Sequence, residues 1–215
     1  MTLGPIASEI LFTHNAKTFL ELLSWAAIGA RSSEDQEHRI FASAIDCPVG
    51  LKNPTHGSLA VGVNSVVAAQ LSHVAAFDGY EVQTFGNEYA HIVLRGGNQT
   101  SNYSFMHLME VKRYMDIHKI SNPAVIIDTS HDNCIISGKK EYHLQSNIVM
   151  EVIEDLKRHT QLRKLVKGFM IESFLKEGNQ KLDVQNPKDI DLGGLSITDP
   201  CIDWEQTEDL LLKLA

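Results

Sequence analysis

Ala124-Val125-Ile126-Ile127-Asp128-Thr129-Ser130-His131 is a short apolar run that breaks off directly into polar residues, and this join decides the fold. A run of that length with no polar alternation fits a strand buried on both faces, as in a parallel sheet covered by helices. The same form recurs along the chain at Ile6 to Phe12, Ala26 to Gly29, Pro48 to Leu51, Ile92 to Leu94 and Lys167 to Ile171. Helix-like segments lie between the runs: Ala16 to Leu23, Asp35 to Ser43, Leu59 to His73, Ser104 to His118, Lys139 to His159 and Trp204 to Leu214. In the first of these Phe19, Leu20, Leu22 and Leu23 make an apolar stripe of helical width. Alternating runs and helices of this kind read as βα units.

The polar residues decide how those units are arranged. Arg31, Lys52, Arg95, His131 and Glu172 all follow strands. A (β/α)-barrel gathers its chemistry at the C-terminal ends of many strands, whereas a doubly wound sheet gathers it at one switch point. The expectation is one α/β domain over residues 1–215, of (β/α)8 TIM-barrel type but with about six βα units. A β-hairpin insertion is expected at Gly79 to Ala90, turning at Phe85-Gly86-Asn87-Glu88. A loop over Asn179 to Leu195 is expected to cross the mouth of the barrel.

Composition narrows the function classes. A formal charge of -8 argues against sequence-independent nucleic-acid binding, which needs a basic face. Any anion must be held by a few placed cations. The cysteines, Cys47, Cys134 and Cys201, are odd in number and widely spaced, unlike a secreted disulfide framework, so a cytoplasmic setting is expected. No apolar run approaches membrane-spanning length, and Met1 to Leu11 has no basic segment ahead of an apolar stretch.

Two sets of strand-end residues carry chemistry. Arg31, Lys52 and Arg95 offer two guanidinium forks and a point charge, which suits a phosphate, and Gly96-Gly97 frees backbone N–H groups to approach the same anion. His131, Glu172 and Asp199 form a mixed N/O set suited to Mn²⁺, Fe²⁺, Co²⁺ or Zn²⁺. Spacing alone leaves open a hydrogen-bonded histidine and two ordinary acids at loop entries. Cys134 stands close to His131, but a free cysteine is more often a small core residue. No nucleophile elbow, P-loop or dinucleotide fingerprint occurs.

Six ordered segments resemble the class I 3-deoxy-D-arabino-heptulosonate 7-phosphate (DAHP) synthases of the shikimate pathway. They are Ser24 to Arg31, Cys47-Pro48-Val49-Gly50-Leu51-Lys52-Asn53, His91 to Gly97, Ile127-Asp128-Thr129-Ser130-His131, Glu172 to Gln180 and Ser196 to Ile202. The resemblance implies an enzyme that condenses phosphoenolpyruvate with erythrose 4-phosphate. It implies that Arg31, Lys52 and Arg95 hold phosphoenolpyruvate, and that His131, Glu172 and Asp199 are three of four ligands of a divalent metal. Lys52 and His131 would be the catalytic groups.

The family's Gly-Pro-Cys and Lys-Pro-Arg-Thr segments are not found, and Met1 falls near its third strand. The chain therefore reads as the C-terminal part of the barrel, partnered by a second copy or a complementing chain. The alternative is a non-catalytic paralogue or fragment that binds phosphoenolpyruvate or a partner synthase chain.

Overall fold

The computed structural model describes residues 4–16, 18–77, 79–185 and 187–214. In chain order the strands are β1 (Ala7–Glu9), β2 (Trp25–Ile28), β3 (Val49–Lys52), β4 (Val74–Phe77), β5 (Tyr80–Gln83), β6 (His91–Leu94), β7 (Val125–Asp128), β8 (Ile135–Ile136), β9 (Lys139–Lys140) and β10 (Val166–Met170). The helices are α1 (Thr13–Ala16), α2 (Gln36–Ala44), α3 (Leu59–Gln70), α4 (Phe105–Ile117), α5 (Leu144–Arg158), α6 (Thr160–Arg163) and α7 (Trp204–Leu214).

The main sheet has six strands in the order β1-β2-β3-β6-β7-β10, and every neighbouring pair is parallel. Spatial order equals chain order, so every crossover steps the same way. A doubly wound sheet would reverse direction at its switch point. The helices confirm the single winding, because Phe41, Val63, Val66, Leu108, Val111, Ile148 and Leu162 share one core with Ile28, Leu51, Ile92, Leu94 and Ile127. Those strand residues alternate with Gly50, Lys52, Val93, Ile126 and Asp128 on the opposite face. The result is a curled half-barrel, helices outside and a concave face within. On that face Gly50 is required: a Cβ there would stand 2.4 Å from the Trp25 ring and 2.7 Å from Val93.

Local chemistry sets the helix starts. Asp35 caps α2 by accepting from the His38 N–H, and Ser58 caps α3 by accepting from the Val61 N–H. Three expected elements fall differently. The hairpin is β4 with β5, ahead of Phe85-Gly86-Asn87-Glu88; that stretch is a connection docked by the Asn87 side chain on the carbonyls of Ile45 and Cys47. The Ala16 to Leu23 stripe is split between the end of α1 and a 3-10 turn at Leu20–Leu22, with Lys17 outside the described residues. The helix expected from Lys139 starts at Leu144, because Ser137 and Gly138 both take positive φ (50° and 78°) and close the β8–β9 hairpin.

The loops after β3 and β6 are pressed together at glycines. A Cβ on Gly97 would lie 2.2 Å from the Gly57 Cα and 2.3 Å from its nitrogen, both backbone atoms of a clamped loop. Gly97→Ala is therefore expected to cost about 1–3 kcal/mol, as overpacking does. An unchanged urea midpoint would show that the two loops part freely.

Candidate active site

Lys52, Arg95 and Asp128 stand at the C-terminal ends of β3, β6 and β7, three consecutive strands. All three are buried, at 6%, 8% and 0% exposure. Lys52 Nζ lies 3.1 Å from Asp128 Oδ2, and His131 Nδ1 lies 2.9 Å from the same oxygen. Asp128 Oδ1 accepts from the Ser130 N–H at 3.0 Å. Burial pushes the Asp128 carboxyl up, but the His131 contact and the Lys52 charge outweigh it and bring it down to about 2.

Arg95 is only partly paired. Nη2 lies 3.6 Å from Asp132 Oδ1, while Nη1 is buried with no hydrogen-bond partner among the described residues. An unpaired buried guanidinium N–H is costly, so it marks a place for an acceptor supplied from outside. Arg31, beyond the end of β2, is exposed, and no ion pair of its own accompanies it among the described residues. Topology sets it one strand along from Lys52.

Three asparagines hold the loops that present these cations. Asn53 Nδ2 donates to Gly96 O at 2.9 Å, and Asn53 Oδ1 accepts from the Arg95 N–H and from Asn102 Nδ2. Asn102 Oδ1 accepts from the Gly96 N–H. Asn133 Nδ2 bridges the carbonyls of Leu94 and Asp128 at 3.0 and 2.7 Å. Each side chain is nearly inaccessible and bonded on both its donor and acceptor ends, which ties the β3, β6 and β7 ends into one rigid rim.

His131, Glu172 and Asp199 come together across that rim, with one potential ligand atom from each lying within 4.8 Å of the others. His131 has φ of +51°, a strained backbone that aims its ring. With Nδ1 turned to Asp128, Nε2 faces Asp199 Oδ2 at 3.6 Å. A carboxylate behind a histidine that offers its other nitrogen is the usual support of a metal ligand. Ligand atoms bonded to one ion at ~2.0–2.2 Å stand about 3–3.5 Å apart, close to the 3.6 Å between His131 Nε2 and Asp199 Oδ2. Burial raises the Glu172 carboxyl; His131 opposes the rise, while Asp128 and Asp199 add to it. Burial would also raise Asp199, but its ion pair with Lys140 outweighs that and lowers it. The donor set fits a divalent cation, and Lys140 pairs with the Asp199 carboxylate.

Cys134 does not join this cluster. It is buried, and its thiol points to the His131 carbonyl rather than into the group formed by His131, Glu172 and Asp199. Asp128, Lys140 and Gln145 went unassigned in the sequence reading. For Asp128 a signal existed, an acid closing an apolar strand just ahead of His131; Lys140 and Gln145 look like ordinary polar residues of a helix.

The comparisons agree with this geometry. Residues 3–212 match the model of the DAHP synthetase I family. The Trp-sensitive phospho-2-dehydro-3-deoxyheptonate aldolase of Enterobacter agglomerans is 38% identical over 98% of the chain and 59% of that relative. The Phe-sensitive enzyme of Escherichia coli K12 is 40% identical over 98% of the chain and 58% of its own length. The solved phospho-2-dehydro-3-deoxyheptonate aldolase of Francisella tularensis SCHU S4 superposes with a TM-score of 0.85 at 33% identity, over 98% of this chain and 59% of that one. The chain thus spans about 59% of the length of the curated relatives it matches. With strand order, rim and donor cluster all in place and nearly every residue matched, the chain belongs to the DAHP synthetase I family.

Proposed function

We propose that this chain carries the phosphoenolpyruvate and metal sites of a DAHP synthase, which joins phosphoenolpyruvate to erythrose 4-phosphate and releases DAHP and phosphate. The observation that supports it most is the buried pair Lys52 and Arg95 on adjacent strand ends, with Arg95 Nη1 lacking a partner among the described residues. Phosphoenolpyruvate offers phosphate and carboxylate oxygens that would accept hydrogen bonds from these groups.

In this reading the Lys52 ammonium and the Arg95 fork hold the phosphate, and exposed Arg31 closes on it from the neighbouring strand. Asp128 holds Lys52 and His131 in register with each other. His131, Glu172 and Asp199 would hold the metal, one of Mn²⁺, Fe²⁺, Co²⁺ or Zn²⁺. When bound, the ion supplies Lewis acidity toward an aldehyde oxygen. The methylene carbon of phosphoenolpyruvate forms a bond to the aldehyde carbon of erythrose 4-phosphate. Water then adds to the carbon bearing the phosphate, and phosphate departs. The cations hold two anionic substrates at attack distance against their mutual repulsion.

The test is DAHP formation from both substrates with Mn²⁺, compared with His131→Ala. The variant should fall by more than the ~10–100-fold typical of residues standing behind the ligands. Equal product from both proteins would sink the assignment.

A further inference from the structure

Gln145 lies in the first turn of α5 and is fully buried, at 0% exposure. Its neighbours on the inward face of the helix, Ile148, Val149 and Val152, are apolar. A buried amide costs free energy unless its bonds are made, and a leucine or methionine would fill the same space. All its bonds go to the C-terminal ends of β7 and β10. Oε1 accepts from the Glu172 N–H at 2.8 Å and from the Thr129 hydroxyl at 3.1 Å, and Nε2 donates to Glu172 O at 2.9 Å.

These bonds replace a missing stretch of sheet. The β7–β10 ladder runs through Asp128 paired with Met170, and its last bond is the Thr129 N–H to Met170 O at 2.9 Å. Beyond it Glu172 has no partner on β7, and the side chain of Gln145 takes the place of a strand by engaging both of its peptide groups. On its other side Glu172 O accepts from the Ile202 N–H at 3.0 Å, within the segment that carries Asp199. The Glu172 backbone is thereby held between α5 and the Asp199 loop, which sets the direction in which its carboxylate leaves the chain.

We propose that Gln145 is a positioning residue for Glu172: it fixes the backbone of that carboxylate so that it meets His131 and Asp199 around one cation. The inference rests on the metal reading proposed above. Gln145 is not one of the residues whose ligand atoms converge, and two of its three side-chain bonds go to the Glu172 backbone, through which it acts.

The experiment measures Mn²⁺ affinity of the full chain by calorimetry for wild type, Gln145→Met and Val152→Ala, at a temperature where all are folded. Val152, 1% exposed and two turns along the same helix, serves as a stability control, because its apolar side chain has no hydrogen bond to give Glu172. Gln145→Met should weaken Mn²⁺ binding about 10–100-fold, the usual effect of a lost group behind a ligand. Val152→Ala should lower the melting temperature and leave the affinity unchanged. Should Gln145→Met not fold, Gln145→Asn decides, since it keeps the amide without charge but draws it back by one methylene from the Glu172 N–H and C=O, and should also bind Mn²⁺ more weakly than Val152→Ala. Wild-type affinity in the Gln145 variants would overturn this inference alone. A wild type that binds no Mn²⁺ would overturn the metal reading and this inference with it.

Discussion

Replacing Asp128 with alanine should lower the unfolding free energy by about 3–5 kcal/mol, the cost of breaking a buried ion pair from one side. Its carboxylate is 1% exposed, and the Lys52 side chain that faces it is 7% exposed. Removal leaves an ammonium in the concave face with no counter-charge, strips the Ser130 N–H of its acceptor, and frees the His131 ring from Oδ2. Contrast the pair Lys213–Asp209, 57% and 64% exposed, where water screens both charges and the loss would be near zero. Urea denaturation monitored by circular dichroism measures the difference. A loss below about 1 kcal/mol would mean that Lys52 finds water or another acid once Asp128 is gone.

The second large effect is on ligand affinity. Lys52→Met keeps most of the apolar stem and removes only the charge. In a nearly dry position an ammonium facing phosphate is worth about 2–5 kcal/mol, so phosphoenolpyruvate should bind at least about 30-fold more weakly. Arg95 remains in that variant, but Asp128 loses the cation that faces it and leaves a buried anion next to the proposed phosphate site. The loss should accordingly exceed that of removing exposed Arg31, whose charge is screened by solvent.

The strands were legible because a parallel barrel buries them on both faces, so Val125-Ile126-Ile127 and Ile92-Val93-Leu94 stand out as apolar runs with chemistry at their ends. Arg31, Lys52, Arg95, His131 and Glu172 drew attention by following those runs, and Asp199 as a carboxylate within a family motif. What brought His131, Glu172 and Asp199 together is the parallel β7–β10 pairing and the bridge of Ser173 to Ile202, long-range contacts that no local pattern encodes. The expected hairpin was misplaced for a local reason. Gly86 takes positive φ, as turn glycines do, but spends it on a close approach to the Gln70 carbonyl, 2.3 Å from where a Cβ would be, while the strands turn earlier, at Gly79. Lys139 and Lys140 look like the start of an amphipathic helix and instead form β9, which delivers Lys140 to Asp199. Gln145 has the sequence appearance of a solvated helix residue, and only its burial between two strand ends reveals what it holds.

The measurement that bears most directly on the phosphoenolpyruvate and metal sites is calorimetric titration of phosphoenolpyruvate into the wild-type chain with Mn²⁺ present. One saturable site per chain is expected, displaced by inorganic phosphate and weakened at least about 30-fold by Lys52→Met. No saturable binding, or equal affinity in wild type and Lys52→Met, would contradict it.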